Sequence, residues 1–246
     1  ASNFKGNCEA VYFPENVEEI VSILKDANTN KTKVTIAGNG TGLTGARVPQ
    51  NGIVIATDKL NKILEINQKE FYAFIEPAVL LADFQKELKQ QNLFYPPDPT
   101  ETNCYIGGTV ATNASGAKTF KYGPTRDYVI GLQIVLPDGE LIDLERGKQK
   151  AIGYDLSLTT QSGKNISLQI PDYTFPAVKN ASGYYVKNDM EAIDLFIGSE
   201  GTLGIITKIK LKLLPQPEDT ISCVLFFDDE TTALNFLEEA RDTSYK

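Results

Sequence analysis

The stretch Ala37-Gly38-Asn39-Gly40-Thr41-Gly42-Leu43-Thr44-Gly45 constrains this chain more than any other. It follows Val34-Thr35-Ile36, a β-branched run that reads as a buried strand. Four glycines within residues 38–45 leave the backbone almost bare of side chains. Bare backbone can approach a bulky anion closely, and successive N–H groups can converge on phosphate oxygens. Two readings fit: a phosphate cradle and a flexible surface loop.

Gly40, Gly42 and Gly45 spell a G-x-G-x-x-G, and Asp58 closes the next apolar run. This is the outline of a Rossmann dinucleotide fingerprint. That fold needs a helix to open in the loop and cross to a parallel strand, about 10–12 residues at minimum. Only Ala46 to Gly52 separates the loop from the next strand, and Pro49, Asn51 and Gly52 lie within it. No crossover helix fits, so any phosphate must be held by the turn itself.

The side-chain inventory narrows the chemistry. Histidine is absent from all 246 residues, which excludes a Ser-His-Asp hydrolase and a His-based metalloenzyme within them. An enzyme built from this chain would take its chemistry from a cofactor or from a segment outside it. Net charge is −8, so a generally basic nucleic-acid surface and a polybasic membrane patch are both missing. Cys8, Cys104 and Cys223 show neither metal-ligand spacing nor a disulfide framework. That usage, with no signal-peptide pattern and no bilayer-length apolar run, points to a reducing, cytoplasmic setting.

Along the chain, Ala10–Phe13 reads as a strand and Asn16 as the N-cap of a helix. Val17, Ile20, Val21, Leu24 and Ala27 share one face of that helix. Strands at 34–36 and 53–56 complete a small β-α-β-β unit. Phe71–Ile75 reads as a strand, and Leu81, Phe84 and Leu88 mark an amphipathic helix ending near Asn92. Pro96-Pro97-Asp98-Pro99-Thr100 must be a rigid extended wall, because its prolines remove donors and fix φ.

Ile106-Gly107-Gly108 through Ala114-Ser115-Gly116 is nearly all small residues. A short helix there could lie against a flat ligand or simply pack tightly on another backbone. Tyr122–Asp127 is a turn, and Val129–Leu136 with Leu141–Leu144 forms a hairpin on Asp138-Gly139. A second, more exposed hairpin surrounds Ser162-Gly163-Lys164-Asn165 in the weakly patterned segment 145–185. Ile193–Ile197 leads to a third glycine cluster, Gly198–Gly204, and an alternating strand ends at Pro215. Pro215–Asp219 reads as a linker, Ile221–Phe227 as a strand and Thr231–Arg241 as a helix. A lone β-α pair cannot bury both its faces, so it is expected to open a further domain.

Three glycine clusters, each expected at a strand edge, with a proline wall between the first two, suit an extended ligand. Phosphates would lie at one end and a flat ring elsewhere, as in a dinucleotide such as FAD. Gly38-Asn39-Gly40-Thr41-Gly42-Leu43, Pro96–Pro99, Ile106-Gly107-Gly108, Ala111–Gly116, Tyr122-Gly123 and Gly198–Thr207 together resemble the FAD-binding domain of the vanillyl-alcohol oxidase superfamily. The motifs are most similar to the branch holding the glycolate oxidase FAD-linked subunit, D-lactate dehydrogenases and D-2-hydroxyglutarate dehydrogenases. The likeness spans roughly residues 10–215.

The resemblance implies an α+β, two-subdomain FAD-binding fold of the vanillyl-alcohol oxidase type and not a Rossmann fold. Residues 1–215 would be the FAD-binding domain, divided near residue 70, and 216–246 a linker with the start of a truncated C-terminal cap. It implies that Gly38, Asn39, Gly40, Thr41, Gly42 and Leu43 bind the pyrophosphate. Pro97, Asp98, Thr100, Gly107, Gly108, Thr112, Asn113 and Gly116 would line the ribityl and isoalloxazine part. Glu200, Gly201, Gly204 and Ile205 would lie near the cofactor, Ile205 toward the adenosine half.

Superfamily members that attach FAD covalently do so through histidine, sometimes with cysteine. With no histidine and no cysteine in the glycine loop, non-covalent FAD is expected here. The implied reaction is oxidation of a 2-hydroxy acid to a 2-oxo acid, with an unidentified electron acceptor and a possible partner subunit. No metal site is expected in these residues, the catalytic residues are not identified, and the chain alone is expected to be inactive. The alternative is a nucleotide-binding module of the same fold without redox activity. Arg47 and Arg126 could approach a phosphate or carboxylate, or serve as structural ion-pair partners.

Overall fold

The computed structural model describes residues 4–176, 178–221 and 223–243. The chain divides into two units, Ala1–Pro215 and Gln216–Lys246. The first unit opens with strands β1 (Ala10–Tyr12), β2 (Val34–Ala37) and β3 (Ile53–Ala56), in the order β1-β3-β2 and all parallel. Helix α1 (Val17–Asn30) links β1 to β2 and buries Ile20, Leu24 and Ala27. Asn16 caps it, its Oδ1 accepting from the Glu19 N–H at 2.9 Å, which satisfies one of the orphan donors of the first turn.

Strands β2 and β3 are parallel neighbours joined by residues 38–52, which contain no helix. Such neighbours need a crossover of about a dozen residues, usually helical. Here the glycine loop alone makes the crossing, so its backbone amides are not consumed by a helix.

The second sheet is antiparallel and ordered β4-β5-β11-β7-β8. It consists of β4 (Ile63–Asn67), β5 (Tyr72–Ile75), β7 (Val129–Val135), β8 (Leu141–Glu145) and β11 (Ile205–Lys212). The chain thus leaves the first sheet at Ala56 and enters the second at Ile63, earlier than the division near residue 70. Ile63–Asn67 is a strand that sequence pattern did not disclose, because its residues are half or fully exposed. Phe71, expected in a strand, has φ 53° and turns β4 into β5.

Helix α2 (Leu81–Gln90) buries Leu81, Phe84 and Leu88 against this sheet. The short strands β6 (Leu93–Phe94) and β12 (Leu214–Pro215) pair with each other. Helices α3 (Ile106–Ala111), α4 (Thr119–Tyr122) and α5 (Ala192–Phe196) follow the proline wall and the hairpins. Tyr122–Asp127, expected as a plain turn, is the end of α4 followed by a 3₁₀ turn at Thr125–Tyr128. The 145–185 segment carries the hairpin β9 (Asp155–Thr159) and β10 (Asn165–Gln169), which puts Leu156 and Leu158 into the main core.

A second apolar cluster, Ile20, Leu24, Ile55, Leu60, Val135 and Ile205, joins α1 and the parallel sheet to β7 and β11 of the larger sheet. That seam fixes the two sheets of this unit to each other.

In the second unit, helix α6 (Glu230–Thr243) is present, and Asp229 Oδ1 accepts from the Thr232 N–H at 2.8 Å at its start. The strand expected at Ile221–Phe227 is not formed among the described residues of that stretch; Ser222 lies outside them. A strand needs a neighbour to satisfy its ladder, and the described residues of this unit offer none. No helix among the described residues is long and apolar enough to cross a membrane.

Candidate functional site

The three glycine clusters come together around α3. At its N-terminal side, the Asn39 side chain donates to the Asn103 carbonyl, and a Cβ on Gly38 would lie 3.8 Å from the Tyr105 ring. At its C-terminal end, the Gly198 N–H donates to Val110 O at 3.0 Å and the Glu200 N–H to Ala111 O at 2.8 Å. The third cluster also reaches the strand before the first loop, since a Cβ on Gly201 would meet Ile36 at 3.1 Å. The proline wall closes against the end of the second cluster. Lys118 donates its N–H to Asp98 Oδ1 at 3.0 Å and pairs its ammonium with Oδ2 at 3.3 Å.

The first cluster follows β2 and the third leads into β11, as expected of strand edges. The second is a helix, approached only by an isolated bridge between Leu80 and Tyr105. The third is entered from helix α5, not from a strand.

The glycines divide by cause. Gly40 and Gly201 have φ of 77° and 78°, a region open to glycine at little steric cost. Gly107 and Gly116 are forced by contact: a Cβ would stand 2.8 Å from Pro77 O and 1.9 Å from Asp98 O. Gly204 likewise presses on Ile134 and Val135, 2.6 and 2.8 Å from the added atom. Gly42 and Gly108 have neither reason, for an added Cβ there would meet nothing within 4 Å among the described residues. Among the described hydrogen bonds, none takes a backbone N–H of residues 39–44 as donor. Among the described residues the uncommitted donors of this loop are main-chain amides, a donor set that suits a diphosphate.

The remaining expected residues occupy varied positions. Thr41 is half-buried, Leu43 is 69% exposed, and Thr100 is exposed at the end of the proline wall. Pro97 is buried, and its carbonyl accepts from Gln85 Nε2 at 3.3 Å. Thr112 turns back to donate to Gly108 O at 3.0 Å. Asn113 and Glu200 hold left-handed backbone, φ 46° and 53°, unfavourable for side-chain-bearing residues unless the surroundings hold them. Ile205 is 2% exposed and packs in the seam between the sheets. Its side chain therefore belongs to the core, and only its backbone is left to face a ligand.

A cleft of about 700 Å³ opens beside the second and third clusters. Asn113, Gly116, Arg126 and Gly198 line it, and Phe175 and Tyr185 add an aromatic wall. Tyr185 stacks on Phe175 with centroids 5.7 Å apart, and Tyr184 Oη shares a 2.7 Å hydrogen bond with Thr202 Oγ1. This wall comes from the segment that sequence reasoning left outside the motifs. Its aromatic residues lie outside any helix or strand, so no periodicity marks them in the sequence.

Arg47 Nη1 donates to Gly38 O at 3.1 Å, bracing the first loop from within. Asp194 accepts from both Arg126 and Arg146, at 2.9 Å each. Burial pulls the Arg126 guanidinium below its ordinary value, with Asp194 offsetting part of that. Burial acts on Arg146 too, but Asp194 and Glu191 carry it above its ordinary value. Burial pushes the Cys104 thiol up to about 11, and burial and then Asp58 push the Tyr105 phenol up. Among the described residues no group of three or more His, Cys, Asp or Glu side chains could hold a metal ion.

This arrangement can be set against known proteins. The chain is 37% identical over 226 residues to a D-lactate dehydrogenase of Anaerostipes hadrus, covering 92% of this chain and 40% of that protein. It is 32% identical to the glycolate oxidase subunit GlcD of Bacillus subtilis, over 90% of this chain and 40% of that one. Identity to a D-2-hydroxyglutarate dehydrogenase of Stutzerimonas stutzeri is 32%, over 95% and 43%. The chain thus spans about two-fifths of the length of these relatives.

Among solved structures, an alkyldihydroxyacetonephosphate synthase matches with TM-score 0.60 and 23% identity, over 85% of this chain and 34% of that one. At that identity the match speaks for the mixed helix-and-sheet fold alone. The FAD binding domain family matches residues 8–145, the stretch that holds the glycine crossover, the proline wall and α3. With that match covering more than half of its length, this chain belongs to the FAD binding domain family.

Proposed function

We propose that this chain is the FAD-binding part of a flavin-dependent oxidoreductase that converts a 2-hydroxy acid to a 2-oxo acid. The observation that carries the cofactor site is the convergence of three glycine clusters on α3, with Gly42 and Gly108 bare toward open space. The substrate class rests on the relatives, named for D-lactate, glycolate and D-2-hydroxyglutarate, all 2-hydroxy acids.

In this reading the amides of Gly38–Leu43 take the pyrophosphate. Pro97, Asp98, Thr100, Gly107, Gly108, Thr112, Asn113 and Gly116 line the ribityl and ring portion, and Glu200, Gly201, Gly204 and Ile205 lie near the cofactor, Ile205 toward the adenosine half through its backbone. Residues 1–215 form the binding domain, and 216–246 begin a further one. FAD, held without a covalent bond, supplies the hydride acceptor. The chain's own part is to orient the cofactor, present hydrogen-bond donors to it and keep one face open to substrate. A partner subunit, an external electron acceptor and a cytoplasmic setting complete the proposal; the relative GlcD is itself named as a subunit.

The test is titration of the 246-residue chain with FAD, NAD and ATP, followed by thermal melting and visible absorption. At ligand one hundred times above Kd, linkage gives about 2.7 kcal/mol of stabilisation, or ~5–10 °C for a chain of this size. FAD alone is expected to give that shift, with a perturbed flavin spectrum. Equal shifts from all three adenosine ligands would favour the non-redox nucleotide module, and no shift from FAD would refute the site.

A further inference from the structure

Arg126 lies outside every glycine cluster yet touches two of them. Its backbone N–H donates to Asn113 Oδ1 at 3.0 Å, inside the second cluster. Its guanidinium donates to Ile197 O at 2.6 Å and to Asp194 O at 2.7 Å, carbonyls of the end of α5 just ahead of Gly198. The same group binds Asp194 Oδ1 at 2.9 Å and lies 4.3 Å over the Tyr185 ring. Its Nη2 stands 3.6 Å from where a Cβ on Gly198 would be.

Helix ends leave carbonyls without partners, and a cation there complements the dipole. A planar, multi-donor guanidinium can serve two carbonyls and a carboxylate at once while stacking on an aromatic face; a lysine cannot.

We infer that Arg126 is a positioning residue for the cofactor site, holding the 198–201 turn in register with Asn113 at the end of α3. This rests on the FAD reading above. The two other bonds across the same seam, Gly198 to Val110 and Glu200 to Ala111, are made by main chain alone. Left-handed Asn113 and Glu200 sit at either side of it and need outside support. Arg126 bonds the Asn113 side of the seam and the Ile197 carbonyl ahead of Gly198, and its stack on Tyr185 ties the same seam to the aromatic wall of the cleft.

Arg146 provides the control. It shares Asp194, at 3.1 and 2.9 Å, but its other bonds go to Val129 O and Arg126 O, in neither cluster. R126K and R146K each keep the charge and lose the fork. Each is titrated with FAD at a temperature where it is folded, with bound-flavin visible circular dichroism and the denaturation midpoint read alongside. R126K is expected to weaken FAD binding at least tenfold and to change the flavin dichroism. R146K is expected to keep Kd within twofold even where it loses as much stability.

A wild-type chain that fails to bind FAD overturns the cofactor reading itself. A wild type that binds, with R126K and R146K losing affinity only in step with stability, or with R126K unchanged, overturns the role of Arg126. Should R126K be too unstable to titrate, Y185L, which removes the ring beneath the guanidinium, takes its place under the same tenfold and twofold criteria.

Discussion

Gly108→Ala separates ligand-facing glycines from packing glycines in one substitution. Gly108 is the third residue of α3 and lies outside the left-handed region. Among the described residues an added Cβ would meet nothing within 4 Å, so the methyl costs no packing. Alanine in place of a helical glycine gains about 0.5–1 kcal/mol, because the unfolded chain has less freedom to lose. At roughly 2–4 °C per kcal/mol, the ligand-free protein should melt about 1–4 °C higher.

If the open space is where FAD lies, the same methyl intrudes on it. Overpacking a well-fitted contact costs about 1–3 kcal/mol, which is about 5- to 150-fold in Kd. The assay is thermal melting without ligand, paired with fluorescence titration of FAD. Stability should rise while affinity falls. A Kd within twofold of wild type would show that Gly108 faces no ligand. A lower melting temperature without FAD would show that the space beside it is not open.

Three further outcomes follow from the same geometry. Gly116→Ala places a methyl 1.9 Å from Asp98 O, a backbone atom that cannot swing aside. It should lower the denaturation midpoint by at least the ~1–3 kcal/mol of an overpacked core, and an unchanged midpoint would refute the contact. Asn16→Ala removes the acceptor for the Glu19 N–H and should cost about 1 kcal/mol without altering FAD affinity, checked by urea denaturation. The Cys104 thiol, raised by burial from 9.0 to about 11, stabilises the folded chain below its unfolded pKa. That contribution is lost as pH rises through the folded value. Stability should therefore decline between pH 9 and 11, less steeply in C104S, and native Cys104 should resist iodoacetamide at pH 8 where exposed Cys223 reacts.

Particular residues show what sequence could disclose. The α1 stripe and its Asn16 cap were legible because a 3.6-residue period and a local side-chain bond are properties of neighbours in sequence. The hairpins at Asp138-Gly139 and around Ser162–Asn165 were legible for the same reason. Strand β4 was not, since its exposed side chains carry no alternation that survives without the adjoining β5. The strand expected at Ile221–Phe227 is not formed among the described residues of that stretch: β-branched and aromatic content favours a strand, but a ladder needs a partner. Ile205 belonged to the glycine motif in sequence, yet the seam between the sheets claimed its side chain.

The sequence by itself determined that a glycine-rich, histidine-free turn without room for a crossover helix must bind, if it binds, through peptide amides. That follows from steric bareness and from donor chemistry, which are local. Only the tertiary structure decided which glycines are bare for the fold and which for open space. Asp98 O beside Gly116 and Pro77 beside Gly107 come from other parts of the chain, while an added Cβ on Gly42 or Gly108 would meet nothing within 4 Å among the described residues. It likewise decided that Arg126 spends its donors on the α5 carbonyls and Asp194, because a partner distant in sequence is set by packing and by no periodicity along the chain.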